Sequence, residues 1–369
     1  MTDGIHIVGI GGGSGLSVLL AGLRQAAGHA ERDGDGPVRV SAIVSVADDG
    51  GSTGKLRRHL GIPAVGDLRN CIVALAGGDP LWNELFQHRF GGGDGLHGHA
   101  LGNLIVAALV QRSGSLQAGI EQLTRPLRLG GRVLPVTDER VTLCAELEDG
   151  ETVLGESRIP ECGRRIDRVW LSPSSPRPAS GVLDTLASAD AIVLGPGSLF
   201  TSIVPNLLVD GVPEAIRASG ALKVYVCNLM TQPGETDGFD AADHLRVIER
   251  YLGAGMIDVC LLSLPDRVPA PGDLYLDSGV DVGAEPVRWT RESVEATGAF
   301  PLVAELAARG GARLDRHDPA RLGERVLSLA RSLRHEITTR VPAEVPAAAP
   351  VFAHGAAAAA VAVTTGVQG

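Results

Sequence analysis

Apolar, strand-like runs alternate with helical patterns along most of the chain. Residues Ile5–Ile10 form an apolar run, a glycine-rich turn follows, and leucines then recur with helical spacing before a second apolar run, Val38–Val46. Further strand-like runs are Arg132–Pro135, Val141–Leu147, Arg168–Leu171, Ala191–Leu194, Leu222–Cys227 and Asp258–Leu264. Helical patterns are Leu68–Leu75, Ala100–Arg112, Ser115–Leu123, Gly181–Ala187, Leu199–Leu208, Pro213–Ser219 and Ala241–Leu252. This alternation predicts an α/β protein with a Rossmann-like, doubly wound, mostly parallel sheet.

Two segments depart from the alternation. The runs Val141–Leu147 and Thr152–Ile159 alternate in polarity and are joined through an Asp-Gly pair, which is a signal for a hairpin. We therefore predict a small antiparallel insertion at about residues 133–160. From about residue 341 onward Pro and Ala dominate without an amphipathic period. That composition predicts one domain over residues 1–340 and a disordered tail over residues 341–369.

The composition narrows the classes of protein that fit this pattern. Hydrophobic residues make up 44% and charged residues 21% of the 369 residues, which favours a packed core over global disorder. The formal net charge of -10 disfavours a general binder of nucleic acid or of anionic membranes. Five cysteines without a C-x-x-C pair indicate buried thiols in a reducing compartment. We find no leader pattern and no run of about 18 apolar residues, and so expect a cytoplasmic protein without a membrane span.

Two glycine-rich turns follow predicted strands and precede predicted helices. Glycines in such turns let backbone N–H groups approach phosphate oxygens, and a helix start adds a favourable dipole. Without a ligand, the same pattern is only a tight strand-to-helix turn. Two such turns on one sheet suit a diphosphate-linked ligand better than a lone phosphate. The candidate residues are Gly11, Gly12, Gly13, Ser14 and Gly15 in the first turn and Gly195, Gly197 and Ser198 in the second.

The loop after the second predicted strand carries two adjacent carboxylates, Asp48 and Asp49. In a doubly wound sheet this loop lies beside the first glycine-rich turn, at the carboxyl edge where ligands bind. The pair suits either hydrogen bonds from ribose hydroxyls or oxygen ligation of Mg²⁺. Ser52 adds an anion-binding group, and Lys55 can neutralise a phosphate. The alternative interpretation is a solvated acidic turn before a charged helix.

Two further helix starts carry polar side chains. Asp67 suits a helix cap, whereas Arg69 and Asn70 fall in the first turn, where the helix dipole does not favour Arg; Arg69 is therefore a candidate anion contact. His99 and Asn103 lie four residues apart and share one helix face if the helix begins there. Capping or hydrogen bonding to a ligand is favoured over a metal site for the two histidines at 97 and 99, because no Cys or acidic partner lies nearby.

The remaining candidates follow later strands. Thr201 lies in the helix after the second turn, and Asn228, Thr231 and Gln232 cluster at the end of the run Leu222–Cys227. Amide and hydroxyl groups in that place suit base or sugar recognition, although a structured surface loop is an equal alternative. Tyr275 and Arg316 would place a stacking ring and a charge over a bound nucleotide.

Six segments taken in order resemble the YvcK family of gluconeogenesis factors, the bacterial branch of a wider family that includes 2-phospho-L-lactate transferase of the CofD type. The segments are GGGSGLSVLL, SVADDGGSTGKLR, GDLRNCIVAL, HGHALGN, ADAIVLGPGSLFTSIVPNLLV and VYVCNLMTQPGETDGFDAADH. The resemblance runs in register from about Ile5 to Asp318. It implies a cytoplasmic, Rossmann-like protein that binds UDP-sugars such as UDP-N-acetylglucosamine and is required for cell shape and cell-wall homeostasis on gluconeogenic carbon sources.

The resemblance also assigns residues and partners. By position it implies that the first glycine-rich turn and a set of polar residues line the nucleotide cleft, and that an aromatic residue and an Arg lie near the ligand. The aromatic residue is Tyr275 and the Arg is Arg316. The polar residues are Asp48, Asp49, Asn70, His99, Asn103, Ser198, Thr201 and Asn228. Proteins of cell-wall synthesis or its regulation are the expected partners, and a homo-oligomer is expected.

Three functions remain open from the sequence. The first is a UDP-sugar-binding regulator without obligatory catalysis. The second is a Mg²⁺-dependent transferase like the 2-phospho-L-lactate enzyme, in which Asp48 and Asp49 would hold the metal. The third is an NAD(P)-dependent oxidoreductase, which the imperfect glycine fingerprint supports least.

Overall fold

The structure, a computed structural model, describes residues 4–92, 95–264, 283–308 and 316–340. The candidate Tyr275 and the predicted tail over residues 341–369 lie outside the described residues. The strands are β1 (Ile5–Gly11), β2 (Val38–Val44), β3 (Arg132–Pro135), β4 (Thr142–Leu147), β5 (Thr152–Leu154), β6 (Ile166–Ser172), β7 (Ala191–Leu194), β8 (Leu222–Val226), β9 (Val259–Ser263) and β10 (Phe300–Ala304). The helices are α1 (Gly13–Asp33), α2 (Gly51–Leu60), α3 (Gly66–Leu75), α4 (Pro80–Gln87), α5 (Leu101–Ser113), α6 (Leu116–Glu121), α7 (Val182–Ala187), α8 (Val204–Leu207), α9 (Val212–Ala218), α10 (Ala241–Leu252), α11 (Arg291–Glu295) and α12 (Pro319–Arg340).

The predicted parallel sheet is confirmed. Seven strands lie in the order β10-β9-β8-β7-β1-β2-β3, and each neighbouring pair is parallel. All of β1 is buried, as expected for a strand covered by helices on both faces. The chain builds the sheet outward from β1 to β3 and then returns to the other side of β1 with β7. In sheets of this kind the crevice at such a reversal, outside the carboxyl ends of the strands, is where ligands bind.

The small antiparallel sheet is also present, in the order β5-β4-β6. Its bounds differ from the prediction of about 133–160, because β3 pairs with β2 in the main sheet and the third antiparallel strand is β6. The run Thr152–Ile159 stops being a strand after Leu154, since the chain turns there into a short 3₁₀ turn at Glu156–Arg158. That turn brings Glu156 to the carboxyl edge of the main sheet.

Several elements were not predicted from the sequence pattern. They are α2, α4, α11, α12 and β10. The predicted helix Leu199–Leu208 is in fact a π-helical turn, Leu199–Ile203, that leads into α8. The segment after Asp49 folds into α2, in agreement with the charged helix of the alternative interpretation, but its Ser52, Thr53 and Gly54 are buried.

The first and the last helix pack directly on each other. Helix α1 lies against α3 and α12, and Leu322, Val326 and Ala330 of α12 are buried in the core. A Cβ at Gly22 would clash with the carbonyl oxygen of Pro319, and a Cβ at Gly323 would clash with the backbone of Gly22. These two glycines therefore set how closely the helices approach.

Among the described residues, none of the helices is by itself both long and apolar enough to cross a membrane; one sharply bent pair, Leu199–Leu207 with Val212–Ala218, meets that test on length and composition alone.

Candidate functional site

A cavity of about 440 Å³ opens at the carboxyl ends of β1, β7 and β8, at the reversal of the strand order. Both glycine-rich turns contribute to its wall. Of the residues predicted from the sequence, those that line it are Gly12, Gly13, Ser14, Gly15, Asp48, Gly197, Ser198, Asn228, Thr231, Gln232 and Arg316. The fold thus brings together segments that are up to about three hundred residues apart in the chain.

The two glycine-rich turns touch each other. A Cβ at Gly15 would clash with the Pro196 carbonyl oxygen, so only glycine permits this approach. Helix α1 has extended Gly12 as its N-cap and no side-chain cap. The N–H groups of its first turn, including those of Ser14 and Gly15, have no partner within the helix. Helix α1 therefore presents first-turn amides to the cavity wall.

Asp67 engages one amide of the same turn. It accepts a hydrogen bond from the backbone of Gly13, and a Cβ at Gly12 would lie 2.7 Å from Asp67 Oδ2. Its interpretation as a helix cap is wrong, because α3 begins at Gly66 with Val65 as its N-cap. Asp67 instead joins the start of α3 to the start of α1.

The segment after β8 forms hydrogen bonds with the second glycine-rich turn. Asn228 Oδ1 accepts from the Gly197 N–H at 3.1 Å, and Asn228 Nδ2 donates to the Gly197 carbonyl at 2.9 Å. Gln232 Nε2 donates to Ser198 Oγ at 2.8 Å. Because Asn228 engages the Gly197 amide, this turn offers fewer free N–H groups than the sequence suggested.

Glu235 fixes the π-helical turn that follows. Its carboxylate accepts from the Phe200 N–H at 3.2 Å and from Thr201 Oγ1 at 2.9 Å. Burial raises the pKa of Glu235 to about 7. The candidate Thr201 is therefore buried against Glu235 and does not line the cavity.

The two adjacent carboxylates of the acidic loop separate in the structure. Asp48 lines the cavity, and its Oδ1 accepts from the Gly50 N–H at 2.9 Å. Asp49 Oδ1 accepts from the Ser157 N–H at 2.9 Å, which ties the acidic loop to the 3₁₀ turn that carries Glu156. Asp49 thus positions Glu156, which the sequence did not indicate and which lines the cavity.

Three carboxyl groups in the cavity wall have raised pKa values. Burial, then the charge of Asp48, raises the pKa of Asp67 to about 7. Burial, followed by the charges of Asp48 and Asp67, raises the pKa of Glu156 to about 8. Burial also raises the pKa of Asp48, against hydrogen bonds from Gly50 and Thr53. The cavity therefore favours protonated carboxyl groups or a bound cation near neutral pH.

Several sequence candidates do not line the cavity and bond to one another instead. Ser52 Oγ lies 3.0 Å from His99 Nδ1 and accepts from Asn103 Nδ2 at 3.2 Å. Arg69 Nη2 donates to Asn70 Oδ1 at 2.7 Å. Ser52 and Asn103 thus join α2 to α5, whereas the bond between Arg69 and the half-buried Asn70 stays within α3. Three other candidates do not line the cavity either. Gly11 and Gly195 are buried at the strand ends, and Lys55 is exposed.

Other residues that line the cavity are not among the candidates from the sequence, because their place depends on how distant segments pack. They are Val18, Asp67, Glu156, Pro196, Ser202, Leu229, Met230, Ala284 and His317. Leu229, Met230 and Ala284 form a small apolar cluster with Ala307, apart from the main core. Leu229 and Met230, directly before Thr231 in the sequence, are the local signal that could have indicated an apolar part of the cavity wall.

In the part of the chain that the structure describes, no group of three or more His, Cys, Asp and Glu side chains is arranged to hold a metal ion. Mg²⁺ is often bound by one or two carboxylates together with the phosphates of its substrate. Asp48 and Asp67 line the cavity and could supply two such carboxylates, whereas Asp49 accepts a hydrogen bond from the Ser157 amide instead.

Comparisons with known proteins agree on a family. The profile of the family described as 2-phospho-L-lactate transferase CofD matches residues 7–306. A gluconeogenesis factor of Halalkalibacterium halodurans is 49% identical over 257 residues, which cover 70% of this chain and 77% of that protein. A gluconeogenesis factor of Bacillus subtilis is 45% identical over 281 residues, which cover 75% of this chain and 86% of that protein.

Solved structures support the same assignment. Two crystal structures of a Bacillus halodurans protein, one described as a member of the UPF0052 family, share 42% sequence identity with this chain at a TM-score of 0.79. The match covers 88% of this chain and 100% or 99% of theirs. The chain therefore belongs to the 2-phospho-L-lactate transferase CofD family, and its curated bacterial relatives are named gluconeogenesis factors.

Proposed function

We propose that this chain is a cytoplasmic gluconeogenesis factor that binds a UDP-sugar, UDP-N-acetylglucosamine in the first place, and acts in cell-shape and cell-wall homeostasis. The cavity at the reversal of the strand order is the proposed binding site. The family supports the general role, because relatives that are 45–49% identical carry the name gluconeogenesis factor. The choice of a UDP-sugar rests on the resemblance to the YvcK branch and on the chemistry of the cavity.

The contact between the two glycine-rich turns is the observation that carries the proposal. It places the first-turn amides of α1 beside Gly197 and Ser198 in one cavity. Amides at a helix start bind phosphate oxygens, and a diphosphate is long enough to extend from one turn to the other. A volume of about 440 Å³ lies within the range of cavities that hold small ligands.

The charges around the cavity decide how an anion can bind there. Arg316 lines the wall and is half-buried, and a guanidinium in that wall suits pairing with a phosphate. Asp48, Asp67 and Glu156 would repel a diphosphate if all three were ionised. A proton on Asp67 or Glu156 relieves this repulsion, and so would Mg²⁺ held by Asp48 and Asp67 and the phosphates.

Isothermal titration calorimetry of the complete chain tests the proposal. We expect saturable binding of UDP-N-acetylglucosamine that excess UDP displaces, with and without Mg²⁺. NAD is the matched control, because it also contains a diphosphate but is the cofactor that the alternative function, an oxidoreductase, would bind. Tight binding of NAD together with no heat from UDP-N-acetylglucosamine would contradict the proposal.

The carboxyl groups and the family also favour a second candidate, a Mg²⁺-dependent transferase of the 2-phospho-L-lactate type. Asp48 and Asp67 would hold the metal, which supplies neutralisation of phosphate charge when bound. Incubation with Mg²⁺, a deazaflavin acceptor and an activated phospholactyl donor tests it. Turnover that Asp48→Asn abolishes would favour this function over the regulator.

A further inference from the structure

His317 is a buried polar side chain in the cavity wall that the proposed phosphate contacts leave unused. It is 6% exposed, and it lines the cavity next to Arg316. Its backbone pairs with that of Ala307, which fixes its place beside the small apolar cluster. Among the described residues its Nε2 has no hydrogen-bond partner. A buried nitrogen of this kind is costly unless a ligand or a water completes it.

The surroundings fix which tautomer His317 adopts. Burial lowers its pKa to about 4, so the imidazole is neutral at physiological pH. Its hydrogen bond to the Cys227 backbone opposes this lowering of the pKa, which identifies the Cys227 carbonyl as the acceptor. With Nε2 unpaired, the proton lies on Nδ1 and the Nε2 lone pair remains as an acceptor.

The same end of the cavity offers an apolar wall. Leu229, Met230 and Ala284 line it, and each is at least nine-tenths buried. A flat heterocycle can pack on such a wall, whereas a sugar ring covered with hydroxyls would leave polar groups unpaired there. Gln232 Oε1, near the second turn, is likewise without a partner in the described part of the chain. These two unpaired side-chain atoms, His317 Nε2 and Gln232 Oε1, are thus acceptors, which call for donors on the ligand.

We propose that His317 reads the nucleobase, its Nε2 accepting a hydrogen bond from the ring imide N–H of a uracil-type base that lies against Leu229, Met230 and Ala284. This inference rests on the proposed function and names the specificity-determining residue of that site. Uracil carries a hydrogen at the ring nitrogen between its two carbonyls. Cytosine carries a lone pair at the same nitrogen and would face the Nε2 lone pair. A site built for a donor rejects an analogue that lacks it, because the buried acceptor then stays unpaired.

The first test uses the unmodified chain and three ligands of equal charge. By calorimetry we expect UDP to bind about 10 to 100 times more tightly than CDP. UDP methylated at the ring imide nitrogen should bind as weakly as CDP. Equal affinities for UDP and CDP, or full affinity for the methylated compound, would overturn the assignment. Absence of any binding of UDP or UDP-N-acetylglucosamine would instead mean that the proposed function itself fails.

The second test separates base recognition from a structural role. His317→Gln supplies both a donor and an acceptor, so the ratio of UDP to CDP affinity should fall to within about threefold of unity. His29→Gln, at an exposed position of α1, should leave the ratio unchanged. A His317→Gln chain that loses affinity for both ligands equally and keeps the wild-type ratio would show that His317 only supports the fold.

Discussion

Asp48, Asp67 and Glu156 meet at the cavity from three different segments of the chain. Each would be an ordinary surface carboxylate if it were exposed. Burial raises the pKa of all three carboxyl groups. The charge of Asp48 raises the pKa values of Asp67 and Glu156 further. Carboxyl groups with shifted pKa values cluster in this way at binding and catalytic sites.

We predict that the stability of the ligand-free protein falls as the pH rises through this range. Glu156 has its pKa raised from 4.5 to about 8, so the native state keeps a proton that the unfolded chain has already released. Unfolding then releases a proton, and its contribution to stability is complete below about pH 4.5 and lost as the pH approaches 8. Glu156→Gln removes the group that retains this proton, so the free energy of unfolding should depend less on pH between about 5 and 8.

Urea unfolding at several pH values measures this dependence. Glu84→Gln is the control, because Glu84 is exposed on α4 and should leave the wild-type profile unchanged. A Glu156→Gln profile as steep as that of the wild type would show that Glu156 does not retain its proton in the native state.

At the scale of the elements, the glycine-rich turns could be predicted because the signal is local. A strand, a run of glycines and a helix follow one another within Ile5–Leu23, and the same order recurs between Ala191 and Leu207. Asp48 could be predicted for the same reason, since it lies in the loop that follows β2. Asp67, Glu156 and His317 were not assigned to the site, because their place depends on how distant elements pack.

The missed elements have physical reasons as well. Helix α2 contains Gly51 and Gly54 and has a mostly polar sequence, so propensity opposes it. Burial of Leu56 and the hydrogen bonds that Arg57 donates to backbone carbonyls of the acidic loop stabilise it instead. In α12, Leu322, Val326 and Ala330 recur at helical spacing, and that periodicity could have predicted the helix. Strand β10 begins with the exposed Phe300 and contains Pro301, which disfavours a strand, and its pairing with β9 defines it.

We predict that Gly15→Ala weakens UDP-N-acetylglucosamine binding at least tenfold. The new methyl group meets the Pro196 carbonyl, so the two turns must separate. A backbone contact of this kind cannot relax by side-chain rotation, and overpacking typically costs about 1–3 kcal/mol of stability. Calorimetry and thermal unfolding of the variant measure both effects.

Gly220→Ala is the matched control, because a Cβ at that position meets nothing within 4 Å. It should bind and unfold like the wild type. If Gly15→Ala binds the ligand as the wild type does, the close contact of the two turns is not required for the site.

At the scale of the whole molecule, the last described helix supports the first. Helix α12 follows Arg316 and His317 of the cavity wall and packs on α1, whose start forms another part of that wall. Side chains at Gly22 or Gly323 would hold these helices apart. The distance between the helices therefore affects both ends of the cavity.

We predict that Gly22→Ala destabilises the protein by about 1–3 kcal/mol, because its methyl group clashes with the Pro319 carbonyl. Gly28→Ala in the same helix has only the Arg32 side chain nearby, at 3.8 Å, and should stabilise it by about 0.5–1 kcal/mol. Chemical denaturation of both variants measures the difference. Equal stabilities of the two would refute the close packing of α1 on α12.

A crystal structure of the complete chain with UDP-N-acetylglucosamine tests the central claim most directly. We predict that the diphosphate accepts hydrogen bonds from the backbone N–H groups of Ser14 or Gly15, at about 3 Å, and lies beside Gly197 and Ser198. The uracil ring should lie next to His317. A ligand bound elsewhere on the protein, with both glycine-rich turns free of it, would contradict the account.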